Sequence, residues 1–273
     1  MEKTKQPVNK TLRLTETAIM VAAAAVLSLI KIVDMPFGGS VTLFSMLPIA
    51  IISFRYGVPW GLLAGFTNAI IQMLFGMKNL TYGTSAAAVI AIIMLDYIVA
   101  FIVIGISGMF RDKIKDNGTA LALGTLIACV LRYACHVISG CTVWAGVSIP
   151  DTEGLLYSLA YNASYMIPET IVTVLGAFFA ANIFTLRSEE IMRIPLKDKS
   201  ALTLFTALPI SLGIVIIFAM LCGMMQGESG FDITALGSAE IWDWLTIIII
   251  AVVAAVASAI VNVTLSAKLK TTD

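Results

Sequence analysis

Eight apolar stretches recur along the whole chain, and most of them are long enough to cross a lipid bilayer as a helix, which needs about 20 mostly apolar residues. Hydrophobic residues make up 59% of the chain and charged residues only 12%, whereas an ordinary soluble domain has about 25% charged residues. We therefore predict an all-α integral membrane protein. The predicted helices cover residues 14–33, 42–56, 58–76, 84–110, 117–143, 153–186, 201–225 and 241–267.

The distribution of lysine and arginine predicts how these helices are oriented, because basic residues concentrate in cytoplasmic loops. Eight helices with both termini in the cytoplasm place fourteen of the 17 basic residues on the inner side. Lys31 and Lys78 fall outside, and Arg132 lies within a helix. The predicted inner residues are Lys3, Lys5, Lys10, Arg13, Arg55, Arg111, Lys113, Lys115, Arg187, Arg193, Lys197, Lys199, Lys268 and Lys270.

A charged segment with the sequence RSEEIMRIPLKDKS divides the chain into two membrane units. The helix after it contains no Asp, Glu, Lys, Arg or His between Ala201 and Gln226, which indicates a packing or partner-binding appendage. The predicted organisation is a cytoplasmic N-terminal tail at 1–13, a six-helix substrate-binding core at 14–186, a cytoplasmic linker at 187–200, an additional two-helix transmembrane hairpin at 201–267 and a cytoplasmic tail at 268–273.

Several functional classes lack their sequence signals. The net charge is zero, so no broad basic face exists for nucleic acid. No GxxxxGK[ST] motif for ATP occurs, and a single histidine makes a histidine-based metal site improbable. The four cysteines lie in or beside apolar runs without CxxC spacing, which favours small core residues. We expect neither a metal nor a cofactor.

Polar side chains concentrate between residues 132 and 169, where predicted helices five and six should lie in the membrane. An unsatisfied polar group in hydrocarbon costs several kcal/mol, and a charge costs about 2.5–3.5 kcal/mol. Such groups are retained where they pair, meet water or hold a ligand. On helix five, Arg132, His136 and Gly140 follow one face at spacings of four, and Trp144 lies at the outer end near the same stripe.

Helices six and four add further polar and aromatic groups to the same half of the membrane. Helix four contributes Asp96 and Tyr97 near mid-membrane. Aromatic rings beside a carboxylate suit a flat, cationic heteroaromatic ligand through stacking and cation–π attraction. One stripe of helix six carries Ser158, Asn162, Tyr165 and Glu169, and the adjoining stripe carries Tyr157 and Tyr161.

Each of these residues also has a purely structural interpretation, which the sequence leaves open. A lone histidine can be a satisfied core residue, aromatic residues at a boundary can form an interfacial belt, and amides can bridge helices. The corresponding alternatives are a core role for His136, charge neutralisation of Asp96 or Glu169 by Arg132, an aromatic belt formed by Trp144 and Tyr157, and a helix-bridging role for Asn162.

Two other segments are candidates for contacts. The outer loop at 34–40 contains Phe37, Gly38 and Gly39, which would suit a lid over a pocket or, equally, a plain turn. Helix one contains Ala18 and Ala22, and small residues four apart let another helix approach closely. From spacing alone, packing within the chain is the more ordinary interpretation of these alanines.

The block LRYACHVISGCTVWAG followed by YSLAYNASYMIPE resembles the signature of the thiamin-specific substrate-binding subunit of energy-coupling-factor vitamin transporters. The segments LDYIVAF and FGGSVTLFSMLPI and the alanine-rich first helix are similar to other parts of that family. The resemblance covers residues 14–190, and the last two helices have no counterpart in the six-helix core. It implies a multi-pass protein of a bacterial-type cell membrane that binds thiamin from outside with high affinity and has no catalytic activity. A transmembrane coupling subunit and two cytoplasmic ATPase subunits would drive transport.

The same resemblance implies roles for individual residues. Four groups would contact thiamin from helices five and six: His136 and Trp144 by stacking, and Tyr157 and Asn162 by direct contact. Asp96, where the family pattern has glutamate, would meet the cationic part of the ligand with Tyr97 beside it, and Glu169 is a further candidate. The alanines at 18 and 22 would face the coupling subunit, and the loop at 34–40 would be the lid.

Two other functions compete with this one. A stand-alone proton-coupled permease for thiamin or a related vitamin would relay protons through Asp96, Arg132, His136 and Glu169. An intramembrane enzyme would use His136 with an acid, but no nucleophile or metal motif accompanies it. The sequence therefore favours a non-enzymatic binding subunit.

Overall fold

Long helices make up most of the computed structural model, which describes residues 9–35, 39–143, 154–188, 190–194, 199–227, 230–231 and 233–270. Seven helices of that described part are long and apolar enough to cross a membrane, which confirms the predicted all-α membrane class. The eight helices are α1 (Lys10–Leu29), α2 (Leu47–Tyr56), α3 (Val58–Phe75), α4 (Ala86–Ile106), α5 (Asn117–Thr142), α6 (Gly154–Ile183), α7 (Lys199–Met224) and α8 (Ile241–Lys270).

The first loop differs from the prediction, which extended helix one to residue 33 and began helix two at residue 42. Instead, β1 (Lys31–Asp34) pairs antiparallel with β2 (Ser40–Thr42), and α2 begins only at Leu47. β-Branched residues in both segments favour extended backbone, and Gly39 has φ +84°, which glycine adopts readily. The apolar run therefore contains a hairpin that hydropathy alone did not reveal.

The fourth helix is irregular and shorter than the predicted 84–110. It changes from α-helix to a π-helical segment at Ile93–Val99, and it ends in a 3₁₀ turn at Val103–Ile106. After that turn the chain packs against α2: Gly108 N donates to Ser53 Oγ at 2.9 Å, and Ser53 Oγ donates to the Gly105 carbonyl. These contacts end the helix and bring α2 and α4 close together.

The other helix ends agree with the prediction within a few residues. α1 begins at Lys10, inside the tail predicted at 1–13, and Asn9 caps it by accepting hydrogen bonds from two backbone amides. α2 and α3 are separated by Gly57, whose φ of +93° turns the chain between them. Within the predicted linker at 187–200, Ile194 N donates to the Ile183 carbonyl at 2.6 Å, so the chain folds back on α6 there.

Apolar side chains from the first six helices form two main clusters. One joins α1, α2, α3, α4 and α5 around Ile49 and Ile52, which are almost fully buried. The other joins α2, α5 and α6 around Phe54 and Leu121. Outside these clusters, α7 packs on α6 through a contact between Phe179 and Phe205 rings 5.2 Å apart, and α8 packs on α7.

Basic residues that were predicted to share the inner side meet at one end of the bundle. Arg55 donates to the Ser188 carbonyl at 2.6 Å, and its Nε lies 2.5 Å from a Glu16 carboxylate oxygen. Arg111 Nη1 donates to the Arg55 carbonyl at 2.9 Å, and Arg187 Nη1 donates to the Arg111 carbonyl at 2.7 Å. Segments distant in sequence are therefore tied together at this end.

Candidate functional site

A cavity of about 250 Å³ lies at the opposite end of the bundle, where the β1–β2 hairpin covers the helices. This size is slightly below the range of about 300–1,000 Å³ typical of small-molecule pockets. Residues of the hairpin and the segment after it, of the end of α3 and the turn after it, and of α4, α5 and α6 line this cavity. They include Lys31, Asp34, Met35, Gly39, Ser40, Thr42, Ser45, Gln72, Gly76, Lys78, Asn79, Asp96, Tyr97, Phe101, Arg132, His136, Tyr161, Asn162, Tyr165 and Glu169.

Asp96 and His136 form a polar pair in the cavity wall. Asp96 lies in the π-helical segment of α4, and such segments occur often at functional sites. Its Oδ1 lies 3.0 Å from His136 Nδ1 on α5, and its Oδ2 accepts a hydrogen bond from Ser139 Oγ at 2.7 Å. An ionised carboxylate only accepts, so His136 Nδ1 is assigned as the donor in this contact. In a neutral imidazole with this tautomer, the other ring nitrogen is an acceptor.

His136 Nε2 is buried and makes no hydrogen bond to any residue that the structure describes. Buried polar atoms in proteins are nearly always satisfied, and an exception needs an explanation. A ligand that donates a hydrogen bond in the cavity would provide one. The predicted core role of His136 does not account for this atom.

Tyr97 lies beside Asp96 and connects α4 to the end of α3. Its hydroxyl donates to the Gly76 carbonyl at 2.9 Å and accepts from Asn79 Nδ2 at 3.0 Å. The ring is 7% exposed. With its hydroxyl occupied, Tyr97 offers a ligand mainly its ring, and it fixes the turn that carries Asn79.

Arg132 pairs with Glu169, which is one of the two partners that the sequence left open. Arg132 Nη1 lies 3.5 Å from Glu169 Oε2, and the guanidinium carbon lies 4.4 Å from the centre of the Phe101 ring. Both charged side chains are buried. Arg132 Nε is buried and finds no hydrogen-bond acceptor within the described part of the chain.

Glu169 also ties the hairpin to α6. Thr42 Oγ1 donates to Glu169 Oε1 at 2.5 Å, and Ser45 Oγ lies 3.1 Å from the same oxygen. Glu169 lines the cavity, but only 2% of the residue is exposed. Its oxygens therefore serve the architecture of the cavity wall, and the ligand contact predicted for Glu169 stays a prediction.

Asn162 bridges α5 and α6, in agreement with the structural alternative for this residue. Its Nδ2 donates to the Ser158 carbonyl at 2.9 Å and lies 3.3 Å from the His136 carbonyl. Its Oδ1 accepts from the Tyr165 hydroxyl at 2.6 Å. Asn162 lines the cavity, so the bridging role leaves the predicted ligand contact open.

Three tyrosines on α6 build an aromatic wall. The Tyr157 and Tyr161 rings are stacked with centres 6.2 Å apart, and the Tyr161 and Tyr165 rings meet edge to face at 6.1 Å. The Tyr165 ring also meets the His136 ring at 6.1 Å.

Tyr161 and Tyr165 line the cavity. Tyr157, which was predicted to contact the ligand, is not among the described lining residues and packs against Ile92 and Tyr97. Tyr161 and Tyr165 were not among the predicted ligand residues, although their positions on the two polar stripes of the helix were a signal that could have identified them.

The predicted lid and stacking residues are only partly described. Phe37, Gly38 and Trp144 lie outside the described residues. Gly39 lines the cavity, and a Cβ added to it would lie 2.6 Å from Tyr165 Cε1. Only glycine therefore fits between the hairpin and the aromatic wall.

The two alanines predicted for partner contact lie on the surface of α1. Ala18 and Ala22 are exposed, whereas Val21 and Ala24 on the other face are buried in the core. The alternative of packing within the chain therefore does not describe Ala18 and Ala22 in this structure. Their face meets either lipid or another protein.

Comparison with known proteins identifies related sequences and a related solved structure. A family described as "Thiamine transporter protein" matches residues 14–187. Thiamine transporter ThiT of Bacillus subtilis is 39% identical over 171 residues, which cover 59% of this chain and 85% of that protein. Thiamine transporter ThiT of Lacticaseibacillus paracasei is 26% identical over 175 residues, covering 58% and 81%.

A solved structure of ThiT from Listeria monocytogenes has a similar fold. Its TM-score is 0.51 at 24% sequence identity, and the match covers 63% of this chain and 95% of that chain. The matched part of this chain therefore has the helical arrangement of a known membrane protein.

Proposed function

Because the chain belongs to the thiamine transporter protein family, we propose that it is the subunit that captures thiamin at the outer face of the cell membrane for an ATP-driven importer. Membership confirms that the protein is a transporter and not an enzyme. It also agrees with the multi-pass architecture.

The observation that carries the proposal is the Asp96–His136 pair beside the tyrosine wall. Thiamin joins a positively charged thiazolium ring to an aminopyrimidine ring. Asp96 offers the cation a carboxylate, and the Tyr161 and Tyr165 rings offer stacking faces in the same cavity. His136 Nε2, which is buried and unsatisfied within the described residues, suits the amino group of the pyrimidine as a hydrogen-bond donor.

The half-buried carboxylate of Asp96 would also favour a cation over a neutral ligand. Asp96 and Glu169 are the two acids of the cavity that lie within helices, and Arg132 pairs with Glu169. Asp96 contacts the His136 imidazole and the Ser139 hydroxyl. A cationic ligand would compensate its charge in surroundings where screening by water is weak.

The proposed orientation places the cavity outside and the arginine-rich end inside. Arg55, Arg111 and Arg187 contact one another's backbone at one end of the bundle, and Lys31 and Lys78 line the cavity at the other. The positive-inside rule assigns the end with more basic residues to the cytoplasm. Both termini are then cytoplasmic.

Energy for transport would come from a transmembrane coupling subunit and two cytoplasmic ATPase subunits. The sequence itself contains no P-loop motif for ATP. The exposed Ala18 and Ala22 offer a smooth surface on α1 where another helix can approach. Replacing either alanine with tryptophan should reduce uptake while thiamin binding is kept, and Ala251→Trp at an exposed position of α8 is the matched control.

Uptake of labelled thiamin into cells without their own thiamin transporter tests the function. The proposal predicts uptake when the chain is produced together with a coupling subunit and ATPase subunits, and loss of uptake when an ATPase active site is inactivated. A stand-alone proton-coupled permease is the second candidate, because the Asp96–His136 and Arg132–Glu169 pairs lie along one cavity. Uptake that continues without any ATPase and stops when the proton gradient is removed would favour it.

A further inference from the structure

The added helix α7 packs against the hairpin that forms one wall of the cavity. Ala219 of α7 is fully buried and belongs to one apolar cluster with Met35, Val41 and Tyr165. Met35 follows β1, Val41 lies in β2, and Tyr165 belongs to α6. Helix α7 therefore packs over the junction between the hairpin and the aromatic wall.

Gly223, one turn further along α7, approaches β1 closely. A Cβ added to Gly223 would lie 3.2 Å from Val33 Cγ1, which is tighter than most contacts of this kind. Glycine at this position lets α7 lie directly against the strand. A larger side chain here would push β1 away from the helix.

The hairpin needs such support, because an isolated two-stranded hairpin is at best marginally stable. Its β2 end is held by the hydrogen bond from Thr42 to Glu169. Its β1 side is held by α7 through Val33 and Met35. Asp34, Met35 and Gly39 of the same hairpin line the cavity, so any movement of β1 changes the wall that a ligand meets.

The contact between α7 and the hairpin lies outside the part of the chain that the relatives share. The family match ends at residue 187, before α7 begins. The solved structure is matched over 95% of its length by 63% of this chain. The α7–α8 pair is therefore an addition to the part that the relatives share.

We propose that Ala219 and Gly223 are positioning residues, which hold the β1–β2 hairpin against α6 and thereby slow the exit of ligand from the cavity. The assignment of thiamin as that ligand rests on the proposed function. The restraint of the hairpin does not, because it follows from packing alone. Loss of the contact between α7 and the hairpin should increase the dissociation rate of the ligand more than it changes the association rate, since the binding groups on α4, α5 and α6 remain in place.

Amide hydrogen exchange in the purified full-length protein tests the restraint without any ligand. Opening of a local segment raises exchange in that segment alone. Gly223→Leu and Ala219→Leu should each accelerate exchange in peptides covering residues 31–35 and 39–42 by about tenfold or more. Ile214→Phe is the matched control, because Ile214 lies on the same helix and is 62% exposed. It should leave the hairpin unchanged.

Thiamin dissociation rates, measured by stopped flow on the same proteins, complete the test. The proposal predicts faster dissociation in both leucine variants and an unchanged rate in the control. Unaltered exchange at the hairpin in both variants would overturn the proposal, as would acceleration spread evenly over α1 to α6. If wild-type protein failed to bind thiamin while hairpin exchange rose in the variants, the proposed function would fail and the restraint would stand.

Discussion

Asp96 and His136 are joined across α4 and α5 by a distance of 3.0 Å between Oδ1 and Nδ1. Ser139 Oγ holds the second carboxylate oxygen at 2.7 Å, so the carboxyl group is fixed from two sides. The imidazole is fixed in turn, with its Nε2 free of partners among the described residues. The carboxylate and the imidazole are thereby held next to each other at the edge of one cavity.

Replacing His136 with alanine should lower thiamin affinity by at least about tenfold, which corresponds to about 1.4 kcal/mol. The change removes the ring that contacts Tyr165 of the aromatic wall, and it also removes one of the contacts that hold the Asp96 carboxylate. Titration calorimetry on the purified protein measures the effect. Ile138→Ala, at a position of α5 that is 52% exposed, should bind like the wild type. Equal affinity of the His136 variant and the wild type would remove His136 from the site.

Gly39→Ala should weaken both the hairpin and ligand binding. The backbone at Gly39 has φ +84°, and the new methyl group would meet the Tyr165 ring. A non-glycine residue in such a conformation costs about 1 kcal/mol or more before the clash is counted. The thermal unfolding temperature and the affinity for thiamin should therefore both decrease. Gly237→Ala, where nothing lies within 4 Å of the added Cβ, serves as the control and should change neither.

Glu169→Gln should destabilise the protein strongly, because it leaves the buried Arg132 guanidinium without a counter-charge. Breaking a buried pair from one side costs about 3–5 kcal/mol. Removing both charges in Arg132→Met with Glu169→Gln should recover part of that loss, as a double-mutant cycle would show. Thermal unfolding in detergent provides the readout. The exposed Glu190→Gln is the matched control, and a single variant as stable as this control would contradict the pairing.

Arg55→Ala should loosen the arginine-rich end of the bundle. Arg55 is 7% exposed and contacts the partly buried Glu16 and the Ser188 carbonyl, so the change removes an ion pair and a hydrogen bond that tie other segments to α2. A hydrogen bond to a charged group contributes about 1.5–3 kcal/mol. Arg193→Ala removes an exposed arginine and should have little effect. Similar unfolding temperatures for the two variants would show that the Arg55 contacts do not matter for stability.

Hydropathy and helical spacing were sufficient to predict the helices and much of the cavity lining. The stripe of Ser158, Asn162, Tyr165 and Glu169 is buried along α6 as expected, because a spacing of three or four residues fixes one face of a helix. Asp96 and His136 were predicted to face the same half of the membrane, and they meet. The family to which the chain belongs was also recognisable from this stretch.

The hairpin and the fine contacts could not be predicted in the same way. Val33 and Val41 are as apolar as residues of the flanking helices, so hydropathy extended those helices over β1 and β2. The choice of Glu169 over Asp96 as the partner of Arg132 depends on how α4, α5 and α6 are rotated against one another. The packing of α7 on β1 joins segments almost two hundred residues apart, which no local pattern reveals.

The most direct measurement compares the affinity of the purified protein for thiamin and for an isosteric analogue whose thiazolium nitrogen is replaced by carbon, so that the ring is neutral. If the Asp96 carboxylate recognises the cation, thiamin should bind at least about tenfold more tightly than the analogue. In Asp96→Asn that difference should largely disappear, because the amide carries no charge. Equal affinities for the two ligands in the wild type, or a difference that persists in Asp96→Asn, would contradict the account of this site.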